Sequence, residues 1–333
     1  MASTPRRVVD PSPQLAGEAV ADGRSLAIDR YRGALVWLMV AGNFLGGVAA
    51  VPAFLKHAPD IGLTVADLVA PCFVFAIGLT MGASFARRRR EHGLSAAIRH
   101  FLLRDLGLIG IGAILSAGGT ALGQPSTWGV LQALGQAGLI ALLVIGLPTW
   151  ARFAIGAALL VGYQLALDAW TLPAVLGTVH GGIVGGVAWG ALLICSTALA
   201  DLWRRGPGAL ALGSGAVALV ALCSLLLVPV SKNRVSLSYV LVTLAIAAIA
   251  FLLTDLGGRA VPRRPGYLAW WGENPLALYL AHLLVLALVV LPPVDWWTAG
   301  APLWLAALQL AAIMTLLSLL AWRLHRRRVR MRL

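Results

Sequence analysis

A short stretch early in the chain combines side chains that could transfer a proton. His57, Asp60, Thr64 and Asp67 lie close together in a polar segment between two apolar runs. Histidine takes and returns a proton near neutral pH, and a carboxylate such as Asp67 could hold its other ring nitrogen. Upstream, the amide of Asn43 could donate to a developing oxyanion. These residue types suit acyl transfer, although each is also an ordinary feature of a loop or a helix end.

Four further polar residues stand out later in the chain. His282 lies in the middle of an apolar run, where a histidine usually faces a cavity or a polar partner. A functional role and structural hydrogen bonding are equally open for it. Lys232 and Asn233 lie in a short loop, and these two residues together with His282 are our candidates for binding a polar substrate. For His180 we expect a structural role at a helix end.

The elements that carry these residues are predicted to be membrane helices. The 333 residues are 59% hydrophobic and 12% charged, with a mean hydropathy of +0.86. A soluble domain is roughly a quarter charged, so the bilayer must be the solvent of this chain. We therefore predict an all-α, multi-pass protein of about ten transmembrane helices. The apolar runs lie near 34–54, 64–85, 104–121, 128–148, 151–168, 180–201, 208–229, 237–256, 274–291 and 302–322.

The basic residues predict the orientation of these helices. Of the 26 Lys and Arg residues, all but Lys56, Lys232 and Arg234 fall in segments on the same side as the N-terminus. Because basic loops stay in the cytoplasm, both termini are predicted to be cytoplasmic and His57 to face outward. The net charge of +13 then reflects topology, and we expect no nucleic-acid partner. Within the second run, Thr64 is the predicted N-cap, with Asp67 in the first turn.

One membrane domain accounts for the chain. We predict a mobile cytoplasmic tail at 1–28, the transmembrane domain at 29–323 and a basic cytoplasmic tail at 324–333. Gly182, Gly186 and Gly190 repeat every four residues, which favours close helix contact on one face. The sequence shows no P-loop, no dinucleotide fingerprint and no Cys/His metal spacing, so we expect no bound metal.

Several blocks of the sequence resemble one family of membrane enzymes. They begin with Asp29-Arg-Tyr-Arg-Gly33, the helix that carries Asn43, and the segment from Lys56 to Gly78. They continue, in the family's order, with 129–132, 176–178, 231–239 and 272–282. Together these blocks resemble the heparan-α-glucosaminide N-acetyltransferase family, a branch of the transmembrane acyltransferases, over roughly residues 26–320. The human enzyme has an extra N-terminal lumenal portion, and we expect this chain to be a bacterial-type homologue without it.

The resemblance implies an acyltransferase domain at 29–323 and assigns roles to three residues. The family's active-site histidine corresponds to His57, its catalytic asparagine to Asn43, and the aspartate that follows the histidine to Asp67. Acetyl-CoA from the cytosol would be the co-substrate, with contact residues unknown. The acetyl group would pass to an amine or hydroxyl of a sugar or glycan outside the cytoplasm. Direct transfer and an acetyl-histidine intermediate are both compatible with these residues.

Two other functions compete with acetyl transfer. A multi-pass transporter of a small polar solute suits the composition equally well, although the sequence shows no repeated halves and no matched pair of broken helices. An inactive relative that serves as an assembly partner is the third possibility. For every reading we expect the inner (plasma) membrane and its lipid bilayer as the environment, and we also consider a homodimer.

Overall fold

The computed structural model describes residues 25–121, 128–261, 265–292 and 294–331, apart from the side chains of 119–121. This part of the chain is almost wholly helical, and its one β-bridge, between Ile61 and Ser231, is isolated. The all-helical prediction is confirmed. The helices are α1 Leu26–Leu45, α2 Val65–His92, α3 Leu94–Ala121, α4 Val130–Leu142, α5 Thr149–Ala166, α6 Leu172–Leu176, α7 Gly182–Arg205, α8 Pro207–Leu225, α9 Leu237–Arg259, α10 Tyr267–Glu273, α11 Pro275–Val289 and α12 Leu303–Arg326.

Seven stretches within the described ranges are long and apolar enough to cross a membrane, or eight if α10 and α11 form one broken span. Each of the ten predicted apolar runs overlaps one helix, but two runs fall short of this standard for physical reasons. The helix α4 has only 13 residues. The helix α1 begins at Leu26, before its apolar run, and so includes Asp29, Arg30 and Arg32. A multi-pass helical membrane protein is confirmed, while the count of ten stays a prediction.

The predicted boundaries of the two tails can be compared with the helix ends. Residues 1–24, most of the predicted tail at 1–28, lie outside the described residues. The last residues of that segment belong to α1, which begins at Leu26. At the other end, α12 continues to Arg326, so the first residues of the predicted tail at 324–333 are helical.

The helix α7 lies at the centre of the bundle and is the most buried of the candidate spans. Its small residues allow close contact with α4: a Cβ built on Gly190 would lie 2.7 Å from Cγ2 of Ile140. At Gly186 an added Cβ would lie 2.0 Å from the side-chain oxygen of Gln136. The close helix contact predicted from the repeated glycines is confirmed.

The helix α10 packs tightly across α1 and then turns sharply into α11. A Cβ on Gly33 would lie 1.7 Å from the carbonyl oxygen of Leu268. The axes of α10 and α11 differ by 91° at Asn274. The buried side-chain amide of Asn274 donates to the carbonyl of Val329 (3.0 Å) and accepts from the backbone N–H of Met331 (2.9 Å). These two hydrogen bonds satisfy the polar side chain at the point where the helix is interrupted. This break was not predicted, and the described residues hold no second one of its kind.

The loops gather at two opposite ends of the bundle. At one, which we call the His57 end, the loop between α1 and α2 meets the loop between α8 and α9 and the end of α5. There the hydroxyl of Tyr163 donates to the carbonyl of Arg234 (2.6 Å), and the backbone N–H of Leu237 donates to Gln164 (2.9 Å). These are loops that the charge pattern assigns to a common side.

The opposite end, which we call the Arg152 end, collects basic side chains. Arg152 is buried, donates to Thr197 (2.8 Å) and pairs with Asp201. Arg204 also binds Asp201 (2.8 Å) and donates to the carbonyl of Leu79 (2.8 Å). Helix ends that were predicted to share a side are thus brought together by direct contacts.

Candidate functional site

The side chain of Asp67 organises the start of α2 and holds His57. Thr64 is the N-cap of α2 and Asp67 the third helical residue, as predicted. One carboxylate oxygen of Asp67 accepts from the backbone N–H and hydroxyl of Thr64 (3.1 and 2.9 Å) and from the backbone N–H of Ala58 (3.1 Å). Its other oxygen lies 2.7 Å from Nδ1 of His57. The cap therefore fixes the same carboxylate that orients the histidine.

The two partners differ sharply in exposure. The side chain of His57 is 54% exposed, whereas that of Asp67 is 0% exposed. Within the described part of the chain, Nε2 of His57 has no hydrogen-bond partner. A histidine with one nitrogen bound to a carboxylate and the other open to solvent is arranged to accept a proton from a substrate.

Lys232 joins this pair from the loop between α8 and α9. Its ammonium lies 3.1 Å from Nδ1 of His57 and 3.6 Å from Oδ1 of Asp67, and its side chain is buried. Burial lowers the pKa of Lys232, and the negative charge of Asp67 opposes that shift. The shorter contact favours a proton on Nδ1 that is donated to Asp67, with Lys232 paired to the same carboxylate. Lys232, predicted as a substrate-binding residue, thus lies on the Asp67 side of the imidazole ring.

An ion pair that sequence reasoning missed holds the His57 loop in place. The guanidinium of Arg234 donates to both carboxylate oxygens of Asp60, at 2.5–3.1 Å, and Ser231 donates to Asp60 at 2.7 Å. The Arg234 hydrogen bond lowers the pKa of Asp60, and Asp60 in turn raises the pKa of Arg234. The available signal was that Arg234 is one of only three basic residues assigned to the outer side.

Asn233 contributes to the same loop contact. Its side-chain amide donates to the carbonyl of Pro59 (2.5 Å), and the backbone N–H of Gly62 donates to the carbonyl of Val230 (2.8 Å). Asn233 is itself half-buried. The predicted role of Asn233 in substrate binding stays a prediction, and the contact shown is one that fixes the loop.

Asn43 and His282 form a second polar pair at the same end of the bundle. Nδ2 of Asn43, near the last turn of α1, lies 3.0 Å from Nε2 of His282 on α11. His282 is fully buried, and its Nδ1 contacts the carbonyl of Tyr279 one turn earlier. Asn43 is exposed. Both ring nitrogens of His282 are thus engaged within the protein, whereas the predicted role for this residue was contact with a substrate.

The two pairs are not joined by a direct hydrogen bond between described residues. His57 contacts Asp67 and Lys232, and Asn43 contacts His282. Along the chain, Asn43 and His57 are separated by the end of α1 and the loop that follows it. Each pair leaves one polar group exposed, Nε2 of His57 and the amide of Asn43.

His180 lies in the turn before α7, in an unusual backbone conformation. Its φ is +56° and that of Gly181 is +75°, in the left-handed region. The carbonyl of His180 accepts from the indole N–H of Trp189 (3.1 Å). The imidazole ring of His180 also packs edge-on against the Trp189 ring. Its buried Nδ1 has no partner among the described residues. The structural role expected for His180 agrees with the Trp189 contacts.

Metal ligation was not expected, and the described residues contain no group of three or more His, Cys, Asp or Glu side chains placed to hold an ion. That the protein uses no metal stays a prediction. The cysteines Cys72, Cys195 and Cys223 are all free.

Comparison with known proteins connects this site to one family. Residues 24–180 match the family model described as the catalytic domain of heparan-alpha-glucosaminide N-acetyltransferase. The human protein of that name is 37% identical over 118 residues, which are 34% of this chain and 17% of the human protein. The mouse protein is 36% identical over 119 residues, 34% of this chain and 18% of its own length.

The matched segment includes Asn43, His57 and Asp67, and it ends before Lys232 and His282. The alignments span less than a fifth of the length of either curated relative. Residues 24–180, just under half of the chain, are thus similar to the catalytic domain of the heparan-alpha-glucosaminide N-acetyltransferase family.

Proposed function

We propose that this protein transfers an acetyl group from acetyl-CoA, supplied on the cytoplasmic side, to an amine or hydroxyl of a sugar or glycan on the opposite side. The single observation that carries the proposal is the open Nε2 of His57, whose ring is held through Nδ1 by the buried carboxylate of Asp67. Similarity to the catalytic domain of a membrane acetyltransferase family gives this geometry its reaction class.

The reaction follows from what these groups can donate and accept. Nε2 of His57 takes the proton of the acceptor N–H or O–H while the acceptor atom bonds to the carbonyl carbon of the thioester. An N–H of Asn43 donates to the carbonyl oxygen as negative charge develops there. The C–S bond then breaks, and the thiolate takes up the proton to leave as free CoA. Attack by His57 itself, giving an acetyl-histidine that the acceptor then opens, uses the same groups.

The charge distribution supports the proposed orientation. The arginines at the Arg152 end and the exposed Arg87, Arg89 and Arg90 at the end of α2 suit a cytoplasmic face, where they can attract the phosphates of CoA. The His57 end then faces outward and meets the acceptor. We also propose that both termini lie in the cytoplasm and that the protein resides in the plasma membrane. Its assembly as a homodimer stays a prediction.

Thiol release tests the reaction and separates it from transport. Purified protein with acetyl-CoA and an amino sugar should liberate free CoA at a rate that depends on both substrates. Accumulation of a polar solute in vesicles without thiol release would instead support the transporter. Release that does not depend on the sugar would show hydrolysis and would contradict transfer to that acceptor.

Cysteine labelling tests the orientation independently. In a background with the three native cysteines replaced, Asn233→Cys at the His57 end should react with a membrane-impermeant maleimide in intact cells. Arg89→Cys, exposed at the other end of α2, should react only after permeabilisation. The reverse pattern would overturn the proposed direction of transfer.

A further inference from the structure

The pairing of Asn43 with a fully buried histidine has a consequence for the reaction. We infer that His282 is a positioning residue, which locks the side-chain amide of Asn43 with one N–H directed at the carbonyl oxygen of the acyl donor. This inference rests on the proposed acetyl transfer. It replaces substrate contact by His282 with an indirect role, because a side chain with no exposed surface and two occupied nitrogens has nothing left to offer a substrate.

The protons of the pair can be assigned from the partners. The carbonyl of Tyr279 can only accept, so Nδ1 of His282 must carry a hydrogen. In the neutral ring Nε2 is then an acceptor, and the group that faces it at 3.0 Å must be a donor. Only the NH₂ of Asn43 meets that requirement. Rotating the amide by half a turn would set its oxygen against the lone pair of Nε2, which is repulsive.

The hydrogen bond between Asn43 and His282 leaves part of the Asn43 amide available to a substrate. One hydrogen of the Asn43 NH₂ is used by His282, and the described residues supply no partner for the other or for the amide oxygen. Because Asn43 is exposed, its second N–H is available to an acceptor-only group. A thioester carbonyl is such a group, and its oxygen accepts more strongly as it becomes an oxyanion.

The packing of α1 against α11 holds the two residues in register. Val36, Val40 and Phe44 are buried together with Leu278 of α11 in one apolar cluster. Asn43 falls three residues after Val40 and seven after Val36, on the same face of α1. The break at Asn274 then sets where α11 begins, and hence the height of His282 along α1.

Five variants, one of them a control, test the inference by thiol release. Asn43→Ala should lower kcat by at least about a hundredfold, the scale of one lost oxyanion donor. His282→Leu, which removes the acceptor for the amide, should lower kcat by at least about tenfold without raising KM for the sugar. The Asn43→Ala/His282→Leu double variant should be no slower than Asn43→Ala, because both changes remove the same interaction. His282→Gln, which can present a carbonyl oxygen to the amide, should recover most of the lost turnover. Leu284→Ala, on the exposed face of α11, is the matched control and should leave kcat unchanged.

The outcomes distinguish the inference from the function on which it rests. Wild-type turnover in His282→Leu, or a double variant slowed by the product of the single effects, would overturn the inference and leave acetyl transfer standing. No thiol release by the wild type would overturn the function itself. Because His282→Leu could fail to fold, ¹⁵N NMR of histidine-labelled wild-type protein provides a second measurement, which reports the ring nitrogen that carries the hydrogen. A neutral His282 with its hydrogen on Nδ1 is expected, and a hydrogen on Nε2 would contradict the lock.

Discussion

Nδ1 of His57 lies 2.7 Å from Oδ1 of Asp67, and the two side chains have opposite exposure. The carboxylate is wholly buried at the cap of α2, where backbone N–H groups and the Thr64 hydroxyl satisfy its second oxygen. The histidine is therefore oriented by a group that the fold itself needs at a helix start. Its reactive nitrogen is left to the solvent side.

Replacing Lys232 tests its pairing with the carboxylate of Asp67. The ammonium of Lys232 is buried 3.6 Å from Oδ1 of Asp67, whose side chain is wholly buried. Lys232→Met leaves this carboxylate with one charged partner fewer, so it should lower the free energy of unfolding by about 1–3 kcal/mol. Thermal melting in detergent measures the difference from wild type.

The matched control for this change is Lys56→Met, which removes a lysine from the same end of the molecule. The ammonium of Lys56 donates only to the carbonyl of Ala49 (3.3 Å) among the described residues, and its loss should leave the melting temperature unchanged. A Lys232→Met protein as stable as the wild type would contradict the pairing of Lys232 with Asp67.

The Asp60–Arg234 ion pair predicts a pH-dependent contribution to stability. Arg234 lowers the pKa of Asp60, so the pair stabilises the folded protein above the ordinary carboxyl pKa and this contribution is lost as pH falls through the lowered value. Asp60→Asn should cost about 0.2–1 kcal/mol at neutral pH, as for partly exposed pairs. Thermal melting in detergent should show the difference from wild type shrinking in acid. A difference that grows in acid would contradict the ion pair as its source.

Gly33 offers a test of the packing between α1 and α10. A Cβ there would lie 1.7 Å from the carbonyl oxygen of Leu268, which is backbone and cannot rotate away. Gly33→Ala should therefore destabilise the protein by about 1–3 kcal/mol, the range for overpacking. Gly42→Ala on the same helix meets nothing within 4 Å and should be neutral or slightly stabilising. Equal melting temperatures for the two variants would refute the close contact.

Local patterns predicted much of the fold and one half of the site. Apolar runs located the membrane helices because the bilayer demands continuous hydrophobic length. The cap of α2 followed from the spacing of Thr64 and Asp67, which act within one helical turn. His57 and Asp67 could be paired in advance because only ten positions separate them.

The other half of the site depends on contacts between distant parts of the chain. Asn43 and His282 are 239 positions apart, and Asp60 and Arg234 are 174 apart. The periodic spacing of apolar residues within one helix carries no information about contacts between residues so far apart in the sequence. The break at Asn274 was missed for a related reason: its amide is satisfied by the chain after α12, so the sequence around it reads as one apolar run that begins with Asn-Pro.

The most direct test of the proposed function is the turnover of His57→Ala in the thiol-release assay. With acetyl-CoA and an amino sugar, the variant should lose at least about a hundredfold in kcat, because no other group replaces the base at Nε2. His92→Ala, a histidine substitution at the opposite end of α2, should keep wild-type turnover. Unchanged turnover in a folded His57→Ala protein would contradict the assignment of His57 as the residue that receives the proton or the acetyl group.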